Sequence, residues 1–300
     1  MKTTKPKVIA IVGPTASGKT SLSIELAKAF NGEVISADSR QVYRGLDIGS
    51  GKVTKAEMEG IPHHLLDVAD PEYRYSAADF LRDAKAAISD ITSRGKLPII
   101  AGGTFFYLDL LRGKMQTATV SPDLELQAEL EKLSTNELVS RLKAADPRRA
   151  EIIDQNNRRR LIRSLEIISV LGRVPETVEK TSDYEWLILG IDIDRDKLNE
   201  RIKIRLEDRL QNGLKKEVED LLASGLDPQR LDDFGLEYRY LKRNLKNEIE
   251  YDEMVTQLFA KLRQFAKRQN TWLKRDKEII WKKFPVSMED IKSEVEGFLE

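Results

Sequence analysis

The stretch Gly13-Pro14-Thr15-Ala16-Ser17-Gly18-Lys19-Thr20 decides the fold, because it matches the pattern G-x-x-x-x-G-K-[ST] of a phosphate-binding loop. The β-branched run Lys7–Val12 precedes it and predicts a buried strand. The segment Lys19–Phe30 follows it and predicts a helix with apolar residues along one face. A strand, this loop and a helix in that order are the context that the pattern requires. We therefore expect the loop to bind phosphate groups.

The chemistry of such a loop comes from its backbone and from two side chains. N–H groups of the loop and of the helix N-terminus attract anions, and Lys19 adds a positive charge. The Thr20 hydroxyl is the predicted Mg²⁺ ligand, with Ser17 as a second candidate. The usual metal-binding Asp of an NTPase is missing, because the apolar strand Leu97–Ala101 runs into Gly102-Gly103-Thr104. Asp192 ends a later strand and is a weaker candidate, so phosphate binding is predicted without ATP hydrolysis.

The rest of the chain alternates strands with helices and predicts an α/β fold, a P-loop NTPase-like doubly wound parallel sheet. Strands are predicted at Glu33–Ser36, Leu97–Ala101, Glu185–Asp192 and Glu278–Lys282, and helices at Ser76–Arg94, from Gly103 to Arg112, at Asp196–Ala223, at Tyr251–Trp272 and after Ser287, which Asp290 would help to cap. The charged segment Pro122–Leu171 is helical in pattern. We therefore predict a core of residues 1–115 and 184–300, with a helical insertion domain at 116–183.

Composition narrows the class of protein. Of the 300 residues, 40% are hydrophobic and 33% are charged, which is typical of a soluble globular protein. The sequence contains no cysteine, which excludes disulfides, cysteine-ligated zinc and thiol catalysis. No signal-peptide core and no apolar run of membrane-spanning length is visible, so we expect a cytoplasmic protein without a membrane partner.

Charge is balanced overall, with 50 basic and 50 acidic residues, but it is unevenly distributed. The segment Leu258–Arg275 is basic and contains no acidic residue, and Arg158–Arg163 contains four arginines. Both are candidates for contacts with nucleic-acid phosphates, although such a helix surface is more often simply solvated. The adjacent pair His63-His64 has no third histidine, so we expect hydrogen-bonding roles and not a metal site.

Asp38 is the candidate general base. It follows the predicted strand Glu33–Ser36, and the carboxyl ends of parallel strands meet at one edge of a sheet. Asp38 should therefore lie at the same edge as the phosphate loop. A carboxylate beside bound phosphates, without an apparatus for nucleotide hydrolysis, suits proton removal from an acceptor group.

Five segments in this order together resemble the bacterial tRNA dimethylallyltransferases. They are GPTASGKT (13–20), SADSRQVYRGLDIG (36–49), IPHHLLD (61–67), AGGTFFYL (101–108) and FAKRQNTWL (265–273). The resemblance covers most of the chain and is weakest over Lys114–Ala150. Each motif alone is only suggestive, whereas five in the same order are very specific.

The resemblance implies a reaction in which the exocyclic amine of adenosine 37, next to the anticodon, attacks dimethylallyl diphosphate and releases diphosphate. The tRNAs would be those reading codons that begin with U. Thr15, Lys19 and an arginine would stabilise the diphosphate, and Asp38 would accept the proton. Arg201 and Arg205 lie one turn apart, and Arg201 is slightly favoured as that arginine.

The resemblance also implies Mg²⁺ as cofactor, the tRNA anticodon stem-loop as partner, and a monomer. The flipped adenosine would contact the first five residues of a tRNA-binding set, and the rest of the tRNA would contact the other seven. That set is Asp38, Ser39, Arg40, Gln41 and Thr104, followed by Arg159, Arg160, Leu161, Ile162, Arg163, Lys267 and Arg268.

Two segments depart from the family pattern. The family usually continues Thr-Ala-Lys where this chain has Ser50-Gly51-Lys52. It usually reads Gly-Tyr-Lys/Arg-Glu where this chain has Gly235-Leu236-Glu237-Tyr238. The sequence does not assign a role to the second segment.

Three other functions stay open at this point. An isopentenyltransferase acting on free adenine nucleotides shares the loop and Asp38, but would need a compact pocket for AMP or ATP. A P-loop small-molecule kinase would need a nucleotide-base pocket and lid arginines, and would turn over ATP. An RNA-binding switch protein would use the loop for affinity alone and would keep its function without the Asp38 carboxylate.

Overall fold

The computed structural model describes residues 5–117, 120–121, 123–176 and 179–300. The chain divides into two compact units, one formed by Met1–Arg112 with Thr181–Glu300 and the other by Gly113–Lys180. Among the helices within the described residues, none is both long and apolar enough to cross a membrane.

The first unit is built on a six-stranded sheet with the order β3-β2-β4-β1-β5-β6, in which every neighbouring pair is parallel. The strands are β1 (Lys7–Val12), β2 (Gly32–Ser36), β3 (His63–His64), β4 (Leu97–Ala101), β5 (Glu185–Asp192) and β6 (Ile279–Lys283). The predicted α/β class and parallel sheet are thus confirmed. β1 lies between β4 and β5, so the loop that follows it emerges at the centre of the carboxyl edge.

The described helices of this unit either pack on a face of the sheet or form a separate apolar core. They are α1 (Lys19–Ala29), α2 (Ala77–Ser93), α3 (Phe105–Leu111), α8 (Arg195–Gln211), α9 (Leu214–Ala223), α10 (Leu236–Leu245), α11 (Tyr251–Leu273) and α12 (Lys292–Leu299), with a 3₁₀ turn at Pro228–Asp232. Alternate residues of β1 point to opposite faces. Ile9 and Ile11 pack with α1 and α12, whereas Val8 and Ala10 pack with α2 and α3. This doubly covered core fixes the loops at the sheet edge.

Two helix predictions were wrong in their bounds. The predicted helix Asp196–Ala223 is interrupted at Gly213, whose φ of 104° lies in the left-handed region that favours glycine and ends a regular helix. The last helix was predicted to begin directly after Ser287, with Ser287 as its cap. The Ser287 hydroxyl and N–H do donate to Asp290, but this bond closes a turn, and α12 begins only at Lys292. Helix α10 was not predicted at all.

The second unit contains four helices, α4 (Leu124–Glu131), α5 (Thr135–Ala145), α6 (Pro147–Ile152) and α7 (Arg158–Leu171). Each helix starts at an Asp, Ser or Asn whose side chain accepts a backbone N–H of the first turn. Leucines such as Leu138, Leu142 and Leu161 form a separate small core. The predicted helical segment started at Pro122, which lies outside the described residues.

Candidate active site

The phosphate loop joins β1 to α1 in a strained conformation. Ala16 has a φ of 63° and Gly18 a φ of 96°, and only Gly18 adopts the left-handed region without steric cost. Gly18 is the N-cap residue of α1 and has no side chain that could accept the first N–H groups of the helix. The first N–H groups of a helix have no intrahelical acceptor, so they point outward as donors for an anion. The sequence prediction of a loop between a strand and a helix is confirmed.

Lys19 lies against this loop with its ammonium group directed back at the backbone. Its Nζ donates to the carbonyl oxygens of Gly13 at 3.0 Å and Pro14 at 2.8 Å. The pKa of Lys19 is lowered to about 7, chiefly by burial and then by the charge of Arg205, whereas Asp38 acts in the opposite direction. An anion on the loop would favour the charged form, so Lys19 is a cation that responds to the ligand.

Helix α8 supplies two arginines to the same loop. The Arg205 guanidinium donates to the Thr15 hydroxyl at 2.5 Å, and Arg201 Nε donates to the Ala16 carbonyl at 2.7 Å. Arg201 is exposed and lies 5.0 Å from the ring centre of Phe284, whereas Arg205 is half-buried. Burial, followed by the charge of Arg209, lowers the pKa of Arg205 to about 10, so it stays cationic near neutral pH. Both candidate arginines therefore reach the loop.

Asp38 lies at the edge of the sheet where β2 ends, and Oδ1 accepts the backbone N–H of Arg40 at 2.9 Å. Its charge acts on both Lys19 and Arg205. A Cβ atom at Gly102 would lie 2.2 Å from the Ala37 carbonyl oxygen, so glycine permits the end of β4 to press against the residue before Asp38. The carboxylate is thereby brought to the phosphate side of the sheet edge.

The segment after Asp38 is held by a short chain of hydrogen bonds. Thr104 Oγ1 accepts the Ser39 N–H at 3.0 Å. The Gln41 amide accepts from the Ser36 hydroxyl at 3.0 Å and donates to the Gly51 carbonyl at 3.0 Å. The structure therefore brings together the predicted acceptor residues Asp38, Ser39, Gln41 and Thr104.

Gln269 connects the two sides of the site. Its Oε1 accepts the Thr15 N–H at 2.8 Å, and its Nε2 donates to the Gly103 carbonyl at 3.0 Å. The structure buries the Gln269 amide, whereas its neighbours Lys267 and Arg268, which belong to the predicted tRNA-binding set, are exposed. A signal was available, because Gln269 falls on the apolar stripe Leu258, Leu262, Ala266 and Leu273 of α11.

The arginine cluster of α7 has mixed surroundings within the helical unit. Arg158 donates to the backbone carbonyls of Glu131 and Leu133, and Arg163 donates to that of Val120. The side chains of the two apolar members of the set, Leu161 and Ile162, are buried in the core. Arg159 and Arg160 are exposed.

The described residues contain no cluster of three or more His, Asp or Glu side chains that could hold a metal ion. Any metal at the loop would depend on ligand oxygens and the exposed Thr20 hydroxyl. The Ser17 hydroxyl is fully buried and lacks a hydrogen-bond partner among the described residues. The alternative ligand Asp192 lies 3.9 Å from the Lys274 ammonium.

The adjacent histidines have hydrogen-bonding roles, as predicted. His63 Nδ1 lies 2.9 Å from the Ile61 carbonyl oxygen. His64 Nε2 lies 2.8 Å from the buried carboxylate of Glu33. Both side chains therefore have structural roles in β3 and its contacts.

Known proteins are similar to this chain over nearly its whole length. The family model described as IPP transferase matches residues 41–276. The chain is 42% identical to a tRNA dimethylallyltransferase of Staphylococcus carnosus (94% of this chain, 92% of the relative) and 44% identical to one of an Exiguobacterium strain (98% and 97%).

Solved structures agree with these relatives. A tRNA isopentenylpyrophosphate transferase of Bacillus halodurans is 36% identical with a TM-score of 0.73, over 98% of this chain and 96% of that one. A eukaryotic dimethylallyltransferase acting on tRNA is 28% identical with a TM-score of 0.80, over 97% and 77%. These relatives and solved structures match nearly the whole chain, and this chain belongs to the IPP transferase family.

Proposed function

We propose that this protein transfers the dimethylallyl group of dimethylallyl diphosphate to the exocyclic amine of an adenosine in tRNA. The single observation that carries the proposal is the meeting of the phosphate loop and Asp38 at one edge of the sheet. Arg205 donates to Thr15, and Gln269 joins Thr15 to Gly103, where a Cβ atom would lie 3.6 Å from the Asp38 carboxylate. The names of the relatives support tRNA as the acceptor. The resemblance further suggests adenosine 37 of tRNAs that read codons beginning with U.

In this proposal the phosphate loop holds the diphosphate. The N–H groups at the start of α1 and the Lys19 ammonium contact its oxygens, and Arg205 reaches them beside Thr15. These donors are fixed before the reaction, so they stabilise the charge that develops on the leaving diphosphate. Arg205, and not the sequence-favoured Arg201, is the proposed clamp because it is the more shielded of the two. Arg201 holds the loop through Ala16.

The two substrates and the Asp38 carboxylate account for every bond and proton in the transfer step. The nitrogen lone pair of the adenosine forms a bond to C1 of the prenyl group, and the C1–O bond breaks. Its electron pair leaves with diphosphate. The amine then carries one proton too many, which the Asp38 carboxylate accepts. The Asp38 carboxylate lies near two cations, Lys19 and Arg205.

Mg²⁺ is proposed as a cofactor of diphosphate binding. The Thr20 hydroxyl at the start of α1 and the diphosphate oxygens would hold it. The buried Ser17 hydroxyl, which has no hydrogen-bond partner within the described part of the chain, is a second oxygen in the loop. Magnesium commonly binds through substrate phosphates and keeps several waters, so a protein cluster of carboxylates is not required. When bound, the ion supplies neutralisation of diphosphate charge.

The acceptor adenosine would have to leave its stack to reach Asp38. Gln41 and Thr104 flank that carboxylate and provide amide and hydroxyl groups suited to the edge of a base. Exposed cations are proposed to contact the tRNA phosphates, namely Arg159 and Arg160 on α7 and Lys267 and Arg268 on α11. Arg163 instead donates to the backbone carbonyl of Val120.

The experiment that tests the proposal compares acceptors. Purified protein is incubated with Mg²⁺, labelled dimethylallyl diphosphate and, in separate reactions, unmodified tRNA, AMP or ATP. We expect label in tRNA alone, on adenosine 37 after digestion to nucleosides. Label only in AMP or ATP would overturn tRNA as the acceptor, and label in no acceptor would overturn prenyl transfer itself.

A further inference from the structure

We propose that Arg209, paired with Glu237, is a positioning residue that sets the loop Asp47–Lys52 and, through it, the Gln41 amide beside the acceptor nucleoside. The inference rests on the proposed function and adds to it a device that determines how the acceptor base is held. We call Asp47–Lys52 the acceptor loop.

The acceptor loop is anchored on a single carboxylate from α9. Glu217 accepts the backbone N–H groups of Asp47 at 2.8 Å, Ile48 at 2.6 Å and Gly49 at 2.9 Å. The Tyr238 hydroxyl donates to the same carboxylate at 2.7 Å, and this ring is fully buried. Three N–H donors on one carboxylate fix the backbone direction at the start of the loop.

Arg209 fixes the other side of the loop. Its buried guanidinium donates to the Gly49 carbonyl at 3.2 Å and to Glu237 at 2.9 Å. A Cβ atom at Gly51 would lie 1.7 Å from its Nη2. The guanidinium therefore fills the space that a side chain at residue 51 would occupy, and the loop can close over it only because residue 51 is glycine.

The acceptor loop in turn positions the Gln41 side chain of the site. The Gly51 carbonyl accepts the Gln41 amide N–H at 3.0 Å, while the other end of that amide accepts from Ser36. Both polar ends of the Gln41 side chain are thereby held, and its contact with the loop depends on the residue that packs against Arg209. A small shift at Gly51 would move or release an amide three residues from Asp38.

Glu237 compensates the positive charge of the buried Arg209 guanidinium. It is itself buried, and it lies in the first turn of α10, where the helix dipole favours a negative charge. A Cβ atom at Gly235 would lie 3.7 Å from the Glu237 carboxylate and 3.6 Å from Arg40 Nε. The carboxylate thus lies close to the Asp38–Gln41 segment as well as to Arg209.

The two departures from the family pattern meet at this ion pair. Gly51 stands where the family usually has alanine, and Glu237 falls in the segment where the family usually carries a lysine or arginine. In the structure both residues contact the space around Arg209. Both departures therefore lie in the surroundings of the Arg209 guanidinium.

The test introduces Gly51→Ala into the natural chain and into the double variant Arg209→Met/Glu237→Gln. In the natural chain we expect a fall of about 10- to 100-fold in kcat/KM for tRNA, because misplacement of a reacting group by about 1 Å can have that effect. The double variant alone should lose about tenfold, since the loop is no longer held. Adding Gly51→Ala to it should cost less than about threefold, because the obstruction has gone.

Two controls separate positioning from general damage. Gly45→Ala has the same left-handed backbone demand, with a φ of 72°, but meets nothing within 4 Å, so it should leave kcat/KM for tRNA near that of the natural chain. The KM for dimethylallyl diphosphate should stay within about twofold in all variants, because the phosphate loop makes no contact with Arg209 in the described hydrogen bonds. Equal losses from Gly51→Ala in both backgrounds, or equal losses on both substrates, would overturn the proposal.

Hydrogen exchange of the full chain tests the same device without activity. The amides of Asp47, Ile48 and Gly49 should exchange at least about tenfold faster in Arg209→Met/Glu237→Gln than in the natural chain. Unchanged exchange there would overturn the positioning role, even if a variant with Gly51→Ala fails to fold. Absence of tRNA prenylation by the natural chain would instead overturn the proposed function, so the two failures can be told apart.

Discussion

The two sides of the candidate site are built in different ways. The phosphate side is built mainly on one contiguous segment, Gly13–Thr20, whose backbone N–H groups and Lys19 are the proposed donors, with Arg205 of α8 added beside Thr15. The acceptor side is assembled from distant segments that meet at Asp38, Gln41, Gly51 and Thr104. Gln269 bridges them. Anion binding needs a local backbone shape, whereas selection of a base needs several side chains fixed against one another.

The largest expected effect breaks the phosphate side. Lys19→Met should lower prenyl transfer about 1,000-fold, because it removes a buried charge from the leaving diphosphate. Lys28→Met is the matched control, since Lys28 lies on the same helix α1 but forms a surface ion pair with Glu59. Single-turnover transfer to tRNA measures the loss, and similar rates for both variants would contradict the assigned role.

A second comparison separates the two arginines of α8. Arg205→Lys should lower kcat about 100-fold, because the lysine cannot reproduce the guanidinium contact beside Thr15. Arg201→Lys should cost less than about tenfold, since Arg201 is exposed and contacts only the Ala16 carbonyl and the Phe284 ring in the described interactions. Steady-state kinetics on both variants decide the order, and a larger loss at Arg201 would reverse the assignment.

Substitution of Gln269 removes the bridge between the phosphate side and the acceptor side. Gln269→Leu leaves the Thr15 N–H and the Gly103 carbonyl without their partner, and should lower the free energy of unfolding by about 1–3 kcal/mol. Transfer should fall about tenfold, since the phosphate loop and the acceptor residues are no longer held in a fixed position relative to each other. The exposed Gln264→Leu on the same helix is the control, measured by thermal unfolding and transfer rate. Equal effects of the two variants would show that the bridge is not used.

The smallest effect sharpens the comparison through pH. Because the pKa of Lys19 is lowered to about 7, the side chain is largely neutral in the free protein at pH 8. Diphosphate favours the charged form, so binding takes up a proton in this range, and affinity should fall up to about tenfold from pH 7 to pH 8. Calorimetry in two buffers of different ionisation enthalpy measures the uptake. Lys19→Arg should remove it, and uptake that persists would assign the proton elsewhere.

The same contrast explains what the sequence could predict. The loop Gly13–Thr20 and the strands β1, β4 and β5 were predicted correctly because each is a local pattern of apolar residues and glycine. The break at Gly213 was missed, since charged helical residues continue on both sides of it. The roles of Arg209 and Glu237 could not be predicted, because their partners are more than a hundred residues away or are set by how α8 and α10 pack.

A single-turnover comparison of Asp38→Asn with the natural chain tests whether the two sides have separate tasks. The amide keeps the size of the carboxylate and removes its capacity to accept a proton. We expect dimethylallyl diphosphate to bind within about twofold of the natural affinity, since the donors of the loop are untouched. Transfer to tRNA should be about 100- to 10,000-fold slower. Natural transfer rates in Asp38→Asn, or a loss confined to diphosphate binding, would contradict the assignment of Asp38 as the base.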